Sequence, residues 1–81
     1  MPLSPKTYAT VGRALYGRGW IYPLRTLLDV RKDHAEQIAH DAAHGLAMDL
    51  PDEWREPMRQ ALYLKLDECH AALRALEEQS P

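Results

Sequence analysis

Apolar residues recur along this chain at intervals of three and four, and no useful run alternates with the period of two that a strand requires. The pattern is therefore helical throughout. Tyr8, Val11 and Leu15 share one face of a first helix, which opens at Ser4-Pro5, a favoured cap and first-turn pair, and stops at Gly17. Gly17-Arg18-Gly19 reads as a flexible connector. Trp20, Ile21, Leu24, Leu27 and Leu28 form a short apolar helix with Pro23 in its first turn, and Asp29-Val30-Arg31-Lys32 is the next break. Asp33 is placed to cap a third helix, Glu36 three residues later would close a capping box, and Gly45 ends the helix. On it Ala35, Ile38, Ala39 and Ala42 make a buried stripe, which leaves His34, Gln37, His40, Asp41 and His44 for the opposite face.

The stretch from Gly45 to Leu50 reads as a loop leading to a turn at Pro51-Asp52-Glu53-Trp54, and Pro57 must either start the last long helix or kink it. Within that helix Leu62, Leu66, Cys69, Leu73 and Leu76 step by four, three, four and three, a heptad seam. Such a seam either folds back on the core of its own domain or meets a second copy, which makes these five residues a candidate homodimer interface. The expected fold is all-α, a single domain over residues 1–81 with about four helices. It holds a helix-turn-helix unit at about 20–44 and a C-terminal helix at about 57–78.

Composition narrows the class. Eighty-one residues are about half of what a second domain requires, and 46% hydrophobic against 27% charged residues is enough apolar material to fold. With Cys69 as the single cysteine, an intrachain disulfide and a cysteine-rich metal site are both excluded, and a reducing, cytoplasmic setting is the expectation. No apolar run approaches the roughly 18 residues of a membrane span, so no membrane partner is expected. The net charge of −2 conceals a division. Residues 1–32 carry six lysines and arginines against Asp29 alone, whereas residues 33–81 carry four against eleven carboxylates. A basic first part can face a polyanion, and an acidic remainder keeps the chain soluble or faces a basic partner.

A short helix, a break of about four residues and a second amphipathic helix is the arrangement in which the second helix enters the DNA major groove. Leu24, Leu28, Val30, Ala35 and Ile38 fall where such a unit buries small and branched apolar residues between its helices. Together with Gly12-Arg13-Ala14-Leu15-Tyr16-Gly17, Trp20, Pro23-Leu24, Gly45, Pro51 and Trp54, the stretch resembles small phage-type and bacterial helix-turn-helix regulators of the lambda-repressor-like kind. The resemblance covers roughly Gly12 to Leu62. It implies a transcriptional regulator that binds double-stranded DNA, with Arg31, Lys32, His34, Gln37 and in addition His40 facing the groove and Arg13, Arg18 and Arg25 on phosphates. Two departures stand out: Asp29 replaces the usual turn glycine, and the exposed face of the third helix carries Asp33, Glu36 and Asp41, which oppose phosphate attraction. The competing reading is a phage-encoded inhibitor, anti-CRISPR-like, that offers an acidic surface including Asp49, Asp52, Glu53 and Glu56 to a protein partner.

Other chemistry is weakly signalled. His40-Asp41-Ala42-Ala43-His44 is superficially like the H-E-x-x-H zinc motif, but aspartate is a methylene shorter than the glutamate base and no third ligand is apparent, so no metal or cofactor is expected. Cys69 is read as a small apolar group of the seam, and Trp20 and Trp54 as core anchors. Gly17-Arg18-Gly19 lacks the flanking strand of a phosphate loop. The chain is not expected to be an enzyme.

Overall fold

A computed structural model describes residues 3–79. Four α-helices, α1 (Pro5–Tyr16), α2 (Ile21–Leu28), α3 (Lys32–Ala43) and α4 (Arg55–Glu78), are joined by a 3-10 turn at Gly17–Gly19, a tight turn at residues 29–31, and a loop closing in a 3-10 turn at Asp52–Trp54. No strand is present among the described residues, and the one bridge of extended type pairs Leu3 with Leu50. The all-α expectation holds.

The start of α1 and the ends of α1, α2 and α3 have local causes. Ser4 caps α1, its Oγ accepting the Thr7 N–H at 3.2 Å, and Pro5 occupies the first turn, where its missing N–H costs nothing. Gly17 ends the helix with a φ of 71°, a conformation that side chains other than glycine's resist. The connector at residues 17–19 is thus a defined 3-10 turn. α2 stops where Asp29 takes the left-handed conformation (φ 54°, ψ 48°). The Val30 N–H then reaches back to the Arg25 carbonyl at 2.9 Å, the six-to-one bond of a Schellman motif. α3 ends the same way, with Gly45 at φ 67° and the Leu46 N–H on the Asp41 carbonyl at 2.9 Å.

Two boundary expectations are corrected. α3 opens at Lys32, with Arg31 as its extended cap residue and no side-chain cap bond, so Asp33 lies inside the first turn and makes no capping box with Glu36. The tight turn is the cause: the Schellman bond commits Val30 to the core, and only Arg31 is left to enter the helix. Pro57, for its part, neither starts nor kinks α4. It sits third in the helix, where the N–H it lacks is still one of the unpaired first-turn donors.

The core gathers around Tyr8, Leu24 and Ile38, which have no measurable exposure, together with Leu15, Trp20, Leu28, Val30, Ala35, Leu50 and Met58. α1 packs against all three other helices and most extensively on α3. The Tyr8 ring meets Trp20 edge-on and Trp54 at a tilt, both with centroids 5.9 Å apart, so one aromatic cluster ties α1 to the segments leading into α2 and α4. Both tryptophans serve the core, as expected. Val11, Ala39 and Ala42 border it, and Leu27 is on the surface.

Gly12 is what lets α1 and α2 approach. A Cβ there would collide with the six-membered ring of Trp20 and come within 3.1 Å of Leu24 Cδ2. Helix propensity favours alanine by about 1 kcal/mol, whereas overpacking a fixed ring costs about 1–3 kcal/mol. Gly12→Ala should therefore lower Tm by several degrees in a thermal melt; a variant melting at or above the parent would disprove the close-packing account.

The Tyr8 hydroxyl is buried with no hydrogen-bond partner among the described residues, and burial raises its pKa above the ordinary value near 10. Above pH 10 the unfolded chain loses that proton while the folded chain keeps it. Tyr8 thus favours folding less as pH rises through that range. Tyr8→Phe should be at least as stable as the parent at pH 7, and its Tm should fall less between pH 9 and pH 11. An equal or steeper alkaline loss in Tyr8→Phe would contradict this assignment.

Candidate nucleic-acid interface

The turn between α2 and α3 gives the candidate interface its geometry. Leu24, Leu28, Val30, Ala35 and Ile38, the five positions singled out in the sequence, are all buried, none with more than 8% of its surface exposed. α3 is therefore held by its apolar stripe against α1 and α2 and turns its other side to solvent. Asp29 makes the turn without glycine, consistent with the tolerance of aspartate for the left-handed region.

Arg31, Lys32 and His34 stand together at the exposed start of α3. Arg31 Nε lies 3.7 Å from the Asp33 carboxylate, both side chains being almost wholly solvated, so the pair holds neither strongly. The His34 ring lies 5.9 Å from that of Trp54. Gln37 is one turn further on, and its Nε2 donates to Asp41 Oδ1 at 2.9 Å.

Asp41 itself corrects the sequence reading. It is 5% exposed and so leaves the solvent face of α3 to Asp33 and Glu36. Its helical position lies only about 60° around the axis from Ile38, close enough to the apolar stripe to be drawn inward. Gln37 on one side and His40 Nδ1, 3.5 Å away on the other, are its polar neighbours. The face thus holds two carboxylates instead of three.

The three arginines expected on phosphates, Arg13, Arg18 and Arg25, lie around α2. Arg18 is exposed in the 3-10 turn before it, and the guanidinium of exposed Arg13 sits over the Trp20 ring, 5.9 Å from its centroid. Arg25, in the last turn of α2, is half-buried and its Nε has no hydrogen-bond partner among the described residues. Arg13 and Arg18 precede α2, whereas Arg25 and Arg31 lie beside the turn that ends it. The arrangement is a basic border at each end of an eight-residue helix, about 12 Å long.

The other candidate chemistries resolve differently. The His40 and His44 rings stack with centroids 4.2 Å apart, and His44 Nδ1 lies 2.9 Å from the His40 carbonyl. Among the described residues no group of three or more His, Cys, Asp or Glu side chains is arranged to hold a metal ion. In the acidic cluster before α4, Asp52 binds Arg55 at 2.9 Å and Glu56 lies 3.6 Å from Arg59, local pairs at a helix start. Cys69 is exposed and does not join the core, because α4 has left the core by that point. Of the seam, Leu62 packs against the core, whereas Leu66, Leu73 and Leu76 are exposed by 49%, 56% and 70%.

Two features went unread in the sequence. Lys65 Nζ donates to the Leu15 carbonyl at 3.3 Å, tying α4 to the C-terminal end of α1 where a cation is favoured. An apolar groove of about 320 Å³ runs between α1 and α4, with Leu3, Val11, Met58 and Leu62 in its lining. Both join residues about fifty positions apart, which no local spacing signals. No helix among the described residues is long and apolar enough to cross a membrane. No protein-family model, curated protein or solved structure matches this chain.

Asp29 is the point at which the interface geometry can be tested. Glycine enters the left-handed region without the steric cost that aspartate bears. Asp29→Gly should raise stability by about 0.5–1 kcal/mol, seen as a Tm higher by a few degrees. A lower or unchanged Tm would show that the aspartate side chain itself supports the turn.

Proposed function

We propose that this chain is a DNA-binding transcriptional regulator, of the kind used by phages, plasmids and bacterial operons, which lays α3 in the major groove of a duplex. One observation carries the reading. The five apolar positions of a helix-turn-helix unit are all buried around a turn with a left-handed residue at its start, so that α3 is rigidly mounted with its polar side outward.

The residues on that side have complementary roles. Arg31 and Lys32, exposed at the start of α3, suit guanine edges or phosphates, and His34 follows on the same turn. Gln37 commits one of its two amide N–H groups to Asp41. Its second N–H and its carbonyl oxygen remain for adenine, and the buried carboxylate holds the amide in place. Glu36 can accept only from an amine such as that of cytosine and so selects against other bases. Arg13, Arg18 and Arg25 clamp phosphates on either side. With Asp41 drawn inward, Arg31 and Lys32 offset the two carboxylates still on the face.

Anisotropy titration of a labelled mixed-sequence duplex at several salt concentrations tests this directly. The parent should bind at low salt and weaken steeply as salt rises. The combined Arg31→Ala/Lys32→Ala variant should bind more weakly and reduce the log–log salt slope by about 2, roughly 0.9 for each phosphate that is no longer neutralised. Absence of binding at low salt, or an unchanged slope in the variant, would overturn the proposal.

A further inference from the structure

The second half of α4 is not covered by any of the described residues. From Tyr63 onward every described residue of the helix is exposed, including Tyr63, Leu64, Leu66, Leu73 and Leu76. The helix is 24 residues long, about 36 Å, and the molecule measures 50 × 22 × 21 Å. Its radius of gyration is 15.0 Å, where a compact domain of this length has about 12 Å. Its accessible surface is 6069 Å², against about 5,000 Å² for a compact monomer of 9.3 kDa. The excess of about 1,000 Å² is close to the roughly 800 Å² that each partner buries in a standard protein interface.

The exposed seam is continuous with the groove between α1 and α4. Leu62 and Leu66 belong to both, and Arg55 and Arg59 line the groove at the start of the helix. At the far end the helix closes with Glu77 and Glu78. The groove end of the strip thus carries two arginines, each beside a carboxylate of its own chain, and the far end carries two glutamates. A second copy aligned in parallel would set Arg59 against Arg59 and Glu77 against Glu77. Turned end for end, it sets Glu77 of each copy near Arg59 of the other and also opposes the two helix dipoles favourably. Arg74, Asp67 and Glu68 occupy outward positions of the heptad and take no part.

We infer that the chain forms an antiparallel, two-fold symmetric dimer through α4, in which Leu73 and Leu76 of each copy enter the α1–α4 groove of the other. The two-fold axis passes near Cys69, placing Leu76 opposite Leu62 and Leu73 beside Leu66. The contact is isologous, the same patch serving on both copies, and therefore closes at two. It involves no residue assigned above to DNA, so it stands or falls separately from that reading.

Sedimentation without DNA provides the first measurement. At micromolar concentration the parent should sediment at twice 9.3 kDa. Leu73→Asp should sediment as a monomer with unchanged circular dichroism, since Leu73 touches no core residue in the single chain and its substitution leaves the fold intact. Glu77→Arg should weaken the dimer, and combining it with Arg59→Glu should restore it, a rescue that parallel pairing does not provide. In a Cys69→Ser/Gln79→Cys protein, spin labels at position 79 should lie about 30 Å apart, ten residues of helix on each side of the axis, whereas parallel helices would bring them to about 10 Å. A monomeric parent, a dimer indifferent to Leu73→Asp, absence of the charge-swap rescue or a short label distance would each overturn the inference.

Discussion

Everything on the exposed side of α3 depends on one backbone turn. Asp29 adopts a left-handed conformation that reverses the chain after α2, and the Val30 amide immediately bonds back to Arg25 while its side chain enters the core. Only Arg31 then separates the core plug from the first residue of α3. A turn this short leaves α3 little choice of angle. It fixes the direction of the helix, makes Lys32 its first residue and determines which of its sides faces solvent. A longer connection would leave Arg31, Lys32, His34 and Gln37 on a helix free to pivot.

The turn is held by a core that is small and assembled from distant pieces. Tyr8 sits between Trp20 and Trp54, so the aromatic cluster links the start of the chain to the approaches of α2 and α4. The close approach of α1 and α2 at Gly12 seats Trp20, and the pairing of Leu3 with Leu50 brings the loop after α3 back to the start of α1. These contacts use only the beginning of α4. Beyond Lys65 and Leu66 the helix presents exposed apolar side chains, Leu73 and Leu76 among them, that join no core contact among the described residues.

Charge is arranged along the same division. The arginines around α2 together with Arg31 and Lys32 form the basic part, and, Asp29 apart, the carboxylates begin with Asp33 in the first turn of α3. Asp41 belongs to neither surface, since its carboxylate is buried against Gln37 and His40. That single burial changes the balance of the solvent face of α3 and gives Gln37 an orientation. The acidic cluster before α4 is partly spent on local pairs with Arg55 and Arg59.

Local rules carried by neighbouring residues were legible in the sequence. Ser4 with Pro5, the glycines at 17 and 45, the break at Asp29 and the threefold-fourfold spacing of apolar residues specify helices within a residue or two, because caps, left-handed turns and helical stripes depend only on residues a few positions apart. The buried set Leu24, Leu28, Val30, Ala35 and Ile38 was readable for the same reason. Tertiary structure alone decided what lies against what. Asp41 was drawn inward from the edge of a stripe. Asp33 lost its cap position because Val30 was claimed by the core. Cys69 remained in solvent because α4 outruns a core that ends near Leu62. The heptad spacing of that helix indicates an apolar seam, but whether a seam is covered by its own chain depends on how far the other helices reach, and that is a property of the assembled fold.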